Sequence, residues 1–168
     1  AVFGWGLYNN PDICKELLET VLKLRIDSLD FITTEQEIKE NLEKKSIRLD
    51  VFVRADSRVF DIEVQMYKDS FLLDRLAYYQ GLINSHHLDK GEHYGRLPES
   101  FIIFFCNWDV FGYGHPLYLL ETACVNHPEV AFVKKRHWYI FNFNDYEKYQ
   151  STTGETKELL KYFSTSKV

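Results

Sequence analysis

The chain has 168 residues, of which 45% are hydrophobic and 16% aromatic, and its formal net charge is −5. This composition excludes intrinsic disorder and predicts a globular protein that can bury a core without disulfide bonds. The negative charge argues against broad electrostatic binding of nucleic acid, although local basic clusters and bound cations can reverse the field. We expect a single domain spanning residues 1–168.

Cysteine spacing and hydropathy indicate the cellular compartment in which the protein is expected. Cys14, Cys106 and Cys124 are widely spaced and form no CxxC pair, which disfavours a disulfide framework and a cysteine-based zinc site. The longest apolar run, residues 101–106, is too short to span a bilayer. The N-terminal segment lacks the basic stretch and apolar core of a signal peptide. We therefore expect a cytoplasmic protein without a membrane partner.

The first elements in chain order are a helix and an ambiguous segment. Apolar residues at helical spacing over residues 13–26 predict an amphipathic helix, with Asn10 or Asp12 as its N-cap. Residues 29–38 fit no single pattern, and the nearest interpretation is a short strand followed by a helical turn. Residues 39–45 are predicted to be a charged connection.

The rest of the chain is predicted to form a strand hairpin, a helix, three further strands and a terminal helix. Residues 48–53 and 61–66 alternate as strands around a short polar turn. Asp69 or Ser70 is predicted to cap a helix that ends near Gly91. The remaining elements are a buried strand at 101–106, strands at 118–125 and 138–143, and a terminal helix at 155–163. This order predicts an α/β domain with a mixed sheet.

Each strand of the predicted hairpin carries an acid on one face. Side chains alternate along a strand, so Asp61, Glu63 and Gln65 share a face, and pairing of the strands brings Asp50 towards Glu63. Converging carboxylates repel and are costly to desolvate, which favours a hard divalent cation with oxygen ligands. The simpler alternative is an exposed sheet face with solvated acids. Asp61 stands at the start of the predicted strand, which favours a turn or strand-end role over that of a ligand.

Several sequence stretches carry a family resemblance. The chain contains RLDV, then DIEVQM, DRLAYYQGL and LPESFIIFFCNWDVFG. In this order they resemble the PD-(D/E)XK nuclease superfamily, and within it the Rpn family of recombination-promoting nucleases and transposases. The resemblance runs from about Phe3 to the terminal helix. It implies a restriction-endonuclease-like core, in which a central mixed β-sheet is flanked by helices in α-β-β-β-α-β order.

The resemblance also implies a metal site. It assigns magnesium binding to Asp50, Glu63 and the backbone carbonyl of Val64, with manganese as a substitute. Gln65 stands where the superfamily has lysine, as looks usual for the Rpn family. Its amide can orient a water or a phosphate oxygen but carries no charge. An acid on the first helix often completes such sites, and both Glu16 and Glu19 stay open for that role.

Two residues of the following helix are predicted to bind substrate. Arg75 offers the missing positive charge, and Tyr79 lies on the same helical face at i+4. Both match the Arg-x-x-Tyr-Tyr stretch of the family resemblance. The alternative is an ion pair on the helix surface, with Asp74 or another carboxylate, and a tyrosine that belongs to the core.

The function that the resemblance implies is metal-dependent DNA endonuclease activity, in which an activated water hydrolyses a phosphodiester. Catalysis would rest on Asp50, Glu63 and Gln65. DNA is the expected partner, and a double-strand cut would favour a homodimer. Gln65 and the acidic net charge support an alternative, a catalytically silent domain of this fold that binds nucleic acid or a protein partner. A phosphodiesterase acting on RNA or nucleotides is a third interpretation.

Overall fold

The computed structural model describes residues 2–38, 47–148 and 154–165, so the predicted connection at 39–45 lies outside the described residues. The helices are α1 (Val2–Asn9), α2 (Pro11–Leu22), α3 (Leu72–His86) and α4 (Glu155–Thr165). The strands are β1 (Leu29–Ile38), β2 (Ile47–Ala55), β3 (Arg58–Gln65), β4 (Glu99–Cys106), β5 (Leu117–Glu121) and β6 (Arg136–Asn142). Short 3₁₀ helices occupy Tyr94–Arg96 and Phe143–Lys148.

The six strands form one mixed sheet in the order β1-β2-β3-β4-β6-β5. The first three strands are antiparallel neighbours, β3, β4 and β6 run parallel, and β5 pairs antiparallel with β6 at the edge. Seven of the eight residues of β4 are buried, as expected for a central strand covered on both faces. The arrangement confirms the predicted α/β fold class with a mixed sheet flanked by helices.

A tight turn fixes the register of the β2–β3 hairpin. Asp56 and Ser57 adopt positive φ angles of 51° and 61°, the conformation that suits the right-handed twist of a two-residue hairpin. The Asp56 carboxylate accepts a hydrogen bond from Arg58 at 2.9 Å. Backbone pairing then runs from Ala55 opposite Arg58 to Val51 opposite Ile62. One further step along each strand places Asp50 opposite Glu63.

Separate hydrophobic clusters lie on the two faces of the sheet. One contains Leu18 of α2 and Phe163 of α4, packed with alternate residues of the strands such as Ile62. The other is formed by α3 and includes Leu76 together with Phe104 of β4. Because side chains alternate across a strand, the face of β3 opposite Ile62 carries Asp61, Glu63 and Gln65, and it is the face that α3 covers.

Several predicted boundaries were wrong. Residues 29–38 form one continuous strand, since β1 pairs with β2 from Leu29 opposite Ala55 to Ile38 opposite Ile47. The first predicted helix is α2, and it ends earlier because Lys23 turns into the left-handed conformation. Helix α3 ends well before Gly91. Helix α1 was not predicted from the sequence.

Among the described residues, no helix is long and apolar enough to cross a membrane.

Candidate metal and catalytic site

The candidate site lies where β2 and β3 stop pairing. Backbone pairing between the two strands ends at Val51 opposite Ile62. Beyond that pair, the strands are joined by hydrogen bonds between backbone N–H groups and carboxylate side chains. The Asp50 N–H donates to Glu63 Oε1 at 3.0 Å, and the Val64 N–H approaches Asp50 Oδ2 at 3.5 Å. The two acids therefore face each other across the separating strands, as the alternation predicted.

Glu63 is the most heavily engaged acid of the site. Its side chain is 1% exposed, and its Oε2 accepts hydrogen bonds from Arg75 Nη2 at 3.1 Å and Gln65 Nε2 at 3.4 Å. Burial, followed by the charge of Asp50, raises the pKa of Glu63 to about 8, against the opposing effects of the Asp50 N–H and Arg75. These hydrogen bonds fix the position of the Glu63 side chain, but the positive charge of Arg75 does not offset the effects of burial and of Asp50 on its pKa.

Arg75 is the cation of the site and points inward from α3. Its Nη1 donates to Gln65 Oε1 at 3.0 Å, and its Nε donates to the Tyr79 hydroxyl at 2.9 Å. The guanidinium lies 5.1 Å from the ring centre of Tyr79 and 5.4 Å from that of Phe104. Its carboxylate partners are Glu63 and, at 3.8 Å, Asp69. The alternative interpretation named Asp74 or another carboxylate as the partner, and the partners are Glu63 and Asp69. The pair with Glu63 lies inside the site and not on the helix surface.

Gln65 and Tyr79 hold Arg75 from two sides. The two ends of the Gln65 amide bind different partners, because Nε2 donates to Glu63 while Oε1 accepts from Arg75. Tyr79 is buried in the cluster beneath α3, and burial raises its pKa to about 12. Tyr79 is therefore a core tyrosine, as the alternative had it, and its hydroxyl also accepts a hydrogen bond from the arginine.

Asp61 is the residue that sequence reasoning misjudged. It is the fourth residue of β3, between Phe52 and Ile102 of the neighbouring strands, and not a strand-end residue. Its side chain is 0% exposed, and no N–H or hydroxyl donor of the described residues reaches its oxygens. Its carboxyl group lies close enough to that of Glu63 for the two to share a proton in a hydrogen bond. Burial, then the charges of Glu63 and Asp50, raises its pKa well above the ordinary value. The predicted turn at residues 55–58 could have shown that Asp61 lies inside the strand, because backbone pairing that begins at Arg58 includes Asp61.

The donor set fits a hard divalent cation. Asp50 and Glu63 offer carboxylate oxygens, and Val64 adds a backbone carbonyl on the same strand. No group of three or more His, Cys, Asp or Glu side chains within residues 2–38, 47–148 and 154–165 is spaced to hold a metal ion. Magnesium characteristically keeps several waters and binds through one or two carboxylates. Asp61 lies on the same face of β3, two residues before Glu63.

The two acids considered on the first predicted helix are placed elsewhere. Glu16 is exposed on α2. Glu19 accepts a hydrogen bond from the Ile26 N–H at 2.8 Å and pairs with Lys15, so it links α2 to the segment before β1. Helix α1 is the element that approaches Asp50, because a Cβ on Gly4 would lie 3.2 Å from the Asp50 carbonyl oxygen.

Comparison with known proteins identifies the family. No match is found among curated proteins. A family model described as PD-(D/E)XK nuclease family transposase matches residues 1–165. The match includes the hairpin with Asp50 and Glu63 and the helix with Arg75. The chain therefore belongs to the family of PD-(D/E)XK nuclease transposases.

Proposed function

We propose that the chain is a magnesium-dependent DNA endonuclease that hydrolyses phosphodiester bonds with water as the nucleophile. The observation that carries the proposal is the convergence of Asp50 and Glu63 where β2 and β3 separate, with the 3.1 Å contact between Arg75 and Glu63 beside it. Hydrolysis of a phosphodiester requires positive charge next to the phosphate. Paired carboxylates can hold a cation there, and an adjacent guanidinium supplies a positive charge of its own.

The cation would be held by Asp50, Glu63 and the Val64 carbonyl, with manganese as a substitute for magnesium. When bound, it supplies Lewis-acid chemistry by lowering the pKa of a water and offsetting negative charge on the phosphate. Gln65 orients the water or a phosphate oxygen through its amide. The β2–β3 turn, which sets the hairpin register, keeps the two acids opposite each other.

Arg75 provides the positive charge that Gln65 lacks. A guanidinium binds phosphate through parallel hydrogen bonds and stays charged at any physiological pH. Tyr79 fixes the Nε side of the group, and the ring of Phe104 lies beside it. The two Nη atoms face Gln65 and Glu63, so the arginine is oriented towards the carboxylate pair before any substrate arrives.

DNA is the proposed substrate and partner, in the setting of transposition that the family description names or of the recombination that the Rpn resemblance implies. A double-strand cut by a chain with one such site would need two copies, which supports a homodimer. Size-exclusion chromatography with light scattering tests that state. A comparison of matched DNA and RNA substrates tests the interpretation as an RNA phosphodiesterase. A cytoplasmic setting is part of the proposal, because Cys14, Cys106 and Cys124 are free thiols.

Cleavage of supercoiled plasmid DNA tests the proposed activity. Nicking or linearisation should need magnesium or manganese, stop with a chelator, and fall by about 100-fold or more in Asp50→Ala and Glu63→Ala, since each change removes a cation ligand. Asp74→Ala is the matched control, because Asp74 is an exposed acid on α3. Circular dichroism and melting curves establish that each variant is folded. Full activity in either site variant would contradict the assignment.

A second candidate function has its own supporting observation. Arg75 already bonds both Glu63 and Gln65, an arrangement that would also suit a catalytically silent domain that binds nucleic acid or a protein partner. Calorimetric titration with magnesium and manganese separates the two candidates. A folded sample that binds neither cation would favour the silent domain, whereas binding that disappears in Asp50→Ala would favour the nuclease.

A further inference from the structure

The connection between β3 and α3, residues 66–71, carries two largely exposed aromatic side chains. Tyr67 is 88% exposed and Phe71 is 71% exposed. Large aromatic rings usually bury their apolar faces, so packing within the fold gives no reason for either position. We infer that the β3–α3 connection is a binding surface for unpaired nucleotides of a DNA substrate, with the two rings stacked on bases.

The β3–α3 connection adjoins the candidate site at both of its ends. Tyr67 follows Gln65 by two residues, so at most about 7 Å of chain separates their Cα atoms. Phe71 lies one helical turn before Arg75, and its carbonyl accepts a hydrogen bond from the Arg75 N–H at 2.9 Å. The bases next to a phosphate bound at Gln65 and Arg75 therefore come within reach of both rings.

Hydrogen bonds tie the β3–α3 connection to its surroundings without using the two rings. Asp69 Oδ1 accepts from the Phe71 N–H at 2.8 Å, and Asp69 Oδ2 lies 3.8 Å from Arg75 Nη1. At the other end, the Gln65 carbonyl accepts from the Asn107 N–H at 2.9 Å. A surface that is ordered before binding loses less conformational entropy when a ligand arrives. The connection is therefore ordered while its rings stay accessible.

The charges of the chain favour stacking over phosphate attraction as the source of affinity. The formal net charge is −5, which opposes extensive contact with phosphates. In and beside the connection, the cations Lys68 and Arg75 are matched by the acids Asp69 and Asp74. Stacking of a base on an aromatic ring needs no charge and tolerates any base.

Stacking also selects the kind of DNA. Bases in a duplex are stacked on one another, and their faces are closed to a protein side chain. Bases in a single strand, a flap or a locally opened duplex offer both faces. The surface that Tyr67 and Phe71 form is therefore suited to a strand that is unpaired beside the phosphodiester to be cut.

The inference rests on the proposed function for the identity of the ligand, and its test measures binding apart from cleavage. A labelled single strand of about 12 nucleotides and a hairpin duplex are titrated with protein in the presence of a chelator, with binding followed by fluorescence anisotropy. We expect the wild type to bind the single strand more tightly. Tyr67→Ala and Phe71→Ala should each weaken that binding by about 5–100-fold and leave duplex binding unchanged.

Two further variants control for the ring and for its position. Tyr67→Phe keeps the ring and should bind the single strand as the wild type does. Tyr94→Ala should also match the wild type, because Tyr94 is 80% exposed but precedes the end of β4 that lies opposite Arg58, away from the site. Raising the salt from about 50 to 200 mM should weaken single-strand binding by less than about 10-fold, since few phosphate contacts contribute.

The outcomes separate the inference from the proposed function. If Tyr67→Ala and Phe71→Ala bound the single strand as Tyr94→Ala does, or if the wild type bound it no more tightly than the duplex, the inference would be wrong. Magnesium-dependent plasmid cleavage by the same sample would still support the nuclease. Ring-dependent binding by a protein that cleaves no DNA would support the inference and contradict the proposed activity.

Light scattering tests the other use of an exposed aromatic surface, which is contact between two copies of the chain. If Tyr67→Ala or Phe71→Ala separated a dimer without changing the affinity for the single strand, the surface would be an interface between copies and the inference would be wrong. Both side chains are exposed, so melting temperatures of the alanine variants should match that of the wild type.

Discussion

Asp61 and Asp109 show opposite ways of placing a carboxylate. Asp109, in the loop between β4 and β5, accepts hydrogen bonds from three backbone N–H groups and one hydroxyl, those of Phe111, Gly112, Gly114 and Tyr118. No N–H or hydroxyl donor within the described residues reaches Asp61. Burial alone would raise the pKa of Asp109, but its donors hold that pKa below the ordinary value, whereas the pKa of Asp61 is raised.

The difference separates an acid that a loop supplies with donors from an acid that lies buried beside other acids. A carboxylate with a full set of donors stabilises a loop and needs nothing else. A carboxylate buried beside two others, with one guanidinium nearby, destabilises the metal-free fold unless something compensates it. Removal of an acid should therefore have opposite consequences in the two regions: metal binding suffers at the site, and the folded state suffers at the loop.

The largest effect on stability is expected from substitution of Arg75, the cation that pairs with the buried acid Glu63. Arg75→Met leaves Glu63 buried without its guanidinium, so metal-free protein should lose about 2–3 kcal/mol of unfolding free energy, and magnesium should restore part of it. Cleavage of DNA should fall by about 10–100-fold, because one positive charge towards phosphate is lost. Urea unfolding with and without magnesium measures the first effect, and plasmid nicking measures the second.

Arg96→Met is the matched control. Arg96 is an exposed arginine that pairs with Glu92, and exposed pairs contribute about 1 kcal/mol or less. It should change neither magnesium dependence nor cleavage. If Arg75→Met behaved like Arg96→Met, the acid cluster would not depend on its guanidinium, and the contrast with Asp109 would lose its basis.

Local pattern was enough to predict most of the sheet. Alternation along residues 48–53 and 61–66 and the polar turn between them predicted a hairpin, and the unbroken apolar run at 101–106 predicted the buried strand β4. The segment 29–38 was misread because its polar stretch TTEQE has no strong strand pattern. Its conformation is set by pairing with β2 along its whole length, which is tertiary information.

The site was predictable to the extent that it depends on periodicity. Strand alternation placed Asp50 and Glu63 on one face and helical spacing placed Arg75 and Tyr79 on another, whereas their selection as site residues came from the family resemblance. The structure brings these side chains together; their roles stay predictions. Asp61 was misjudged because its burial depends on α3 and on the neighbouring strand β4, neither of which its local sequence specifies.

At the structural end of the comparison, Asp109→Ala should lower stability. The change leaves the hydroxyl of Tyr118 and the N–H groups of Gly112 and Gly114 without their acceptor. Hydrogen bonds to a charged group contribute about 1.5–3 kcal/mol, and water can replace part of that at a half-exposed loop. We expect a loss of about 2 kcal/mol in urea unfolding, with unchanged manganese affinity. A loss of manganese binding in this variant would show that the two regions are not independent.

The smallest effect is the pH dependence of that loop. The pKa of Asp109 in the folded protein lies below its ordinary value of 3.8. A depressed acid pKa adds stability that is present above the ordinary pKa and is lost as the pH falls through the folded pKa. The difference in unfolding free energy between wild type and Asp109→Asn should therefore be constant from about pH 7 to pH 5 and shrink below about pH 4. A difference that persisted unchanged to pH 3 would mean that the carboxylate charge of Asp109 is not what holds the loop.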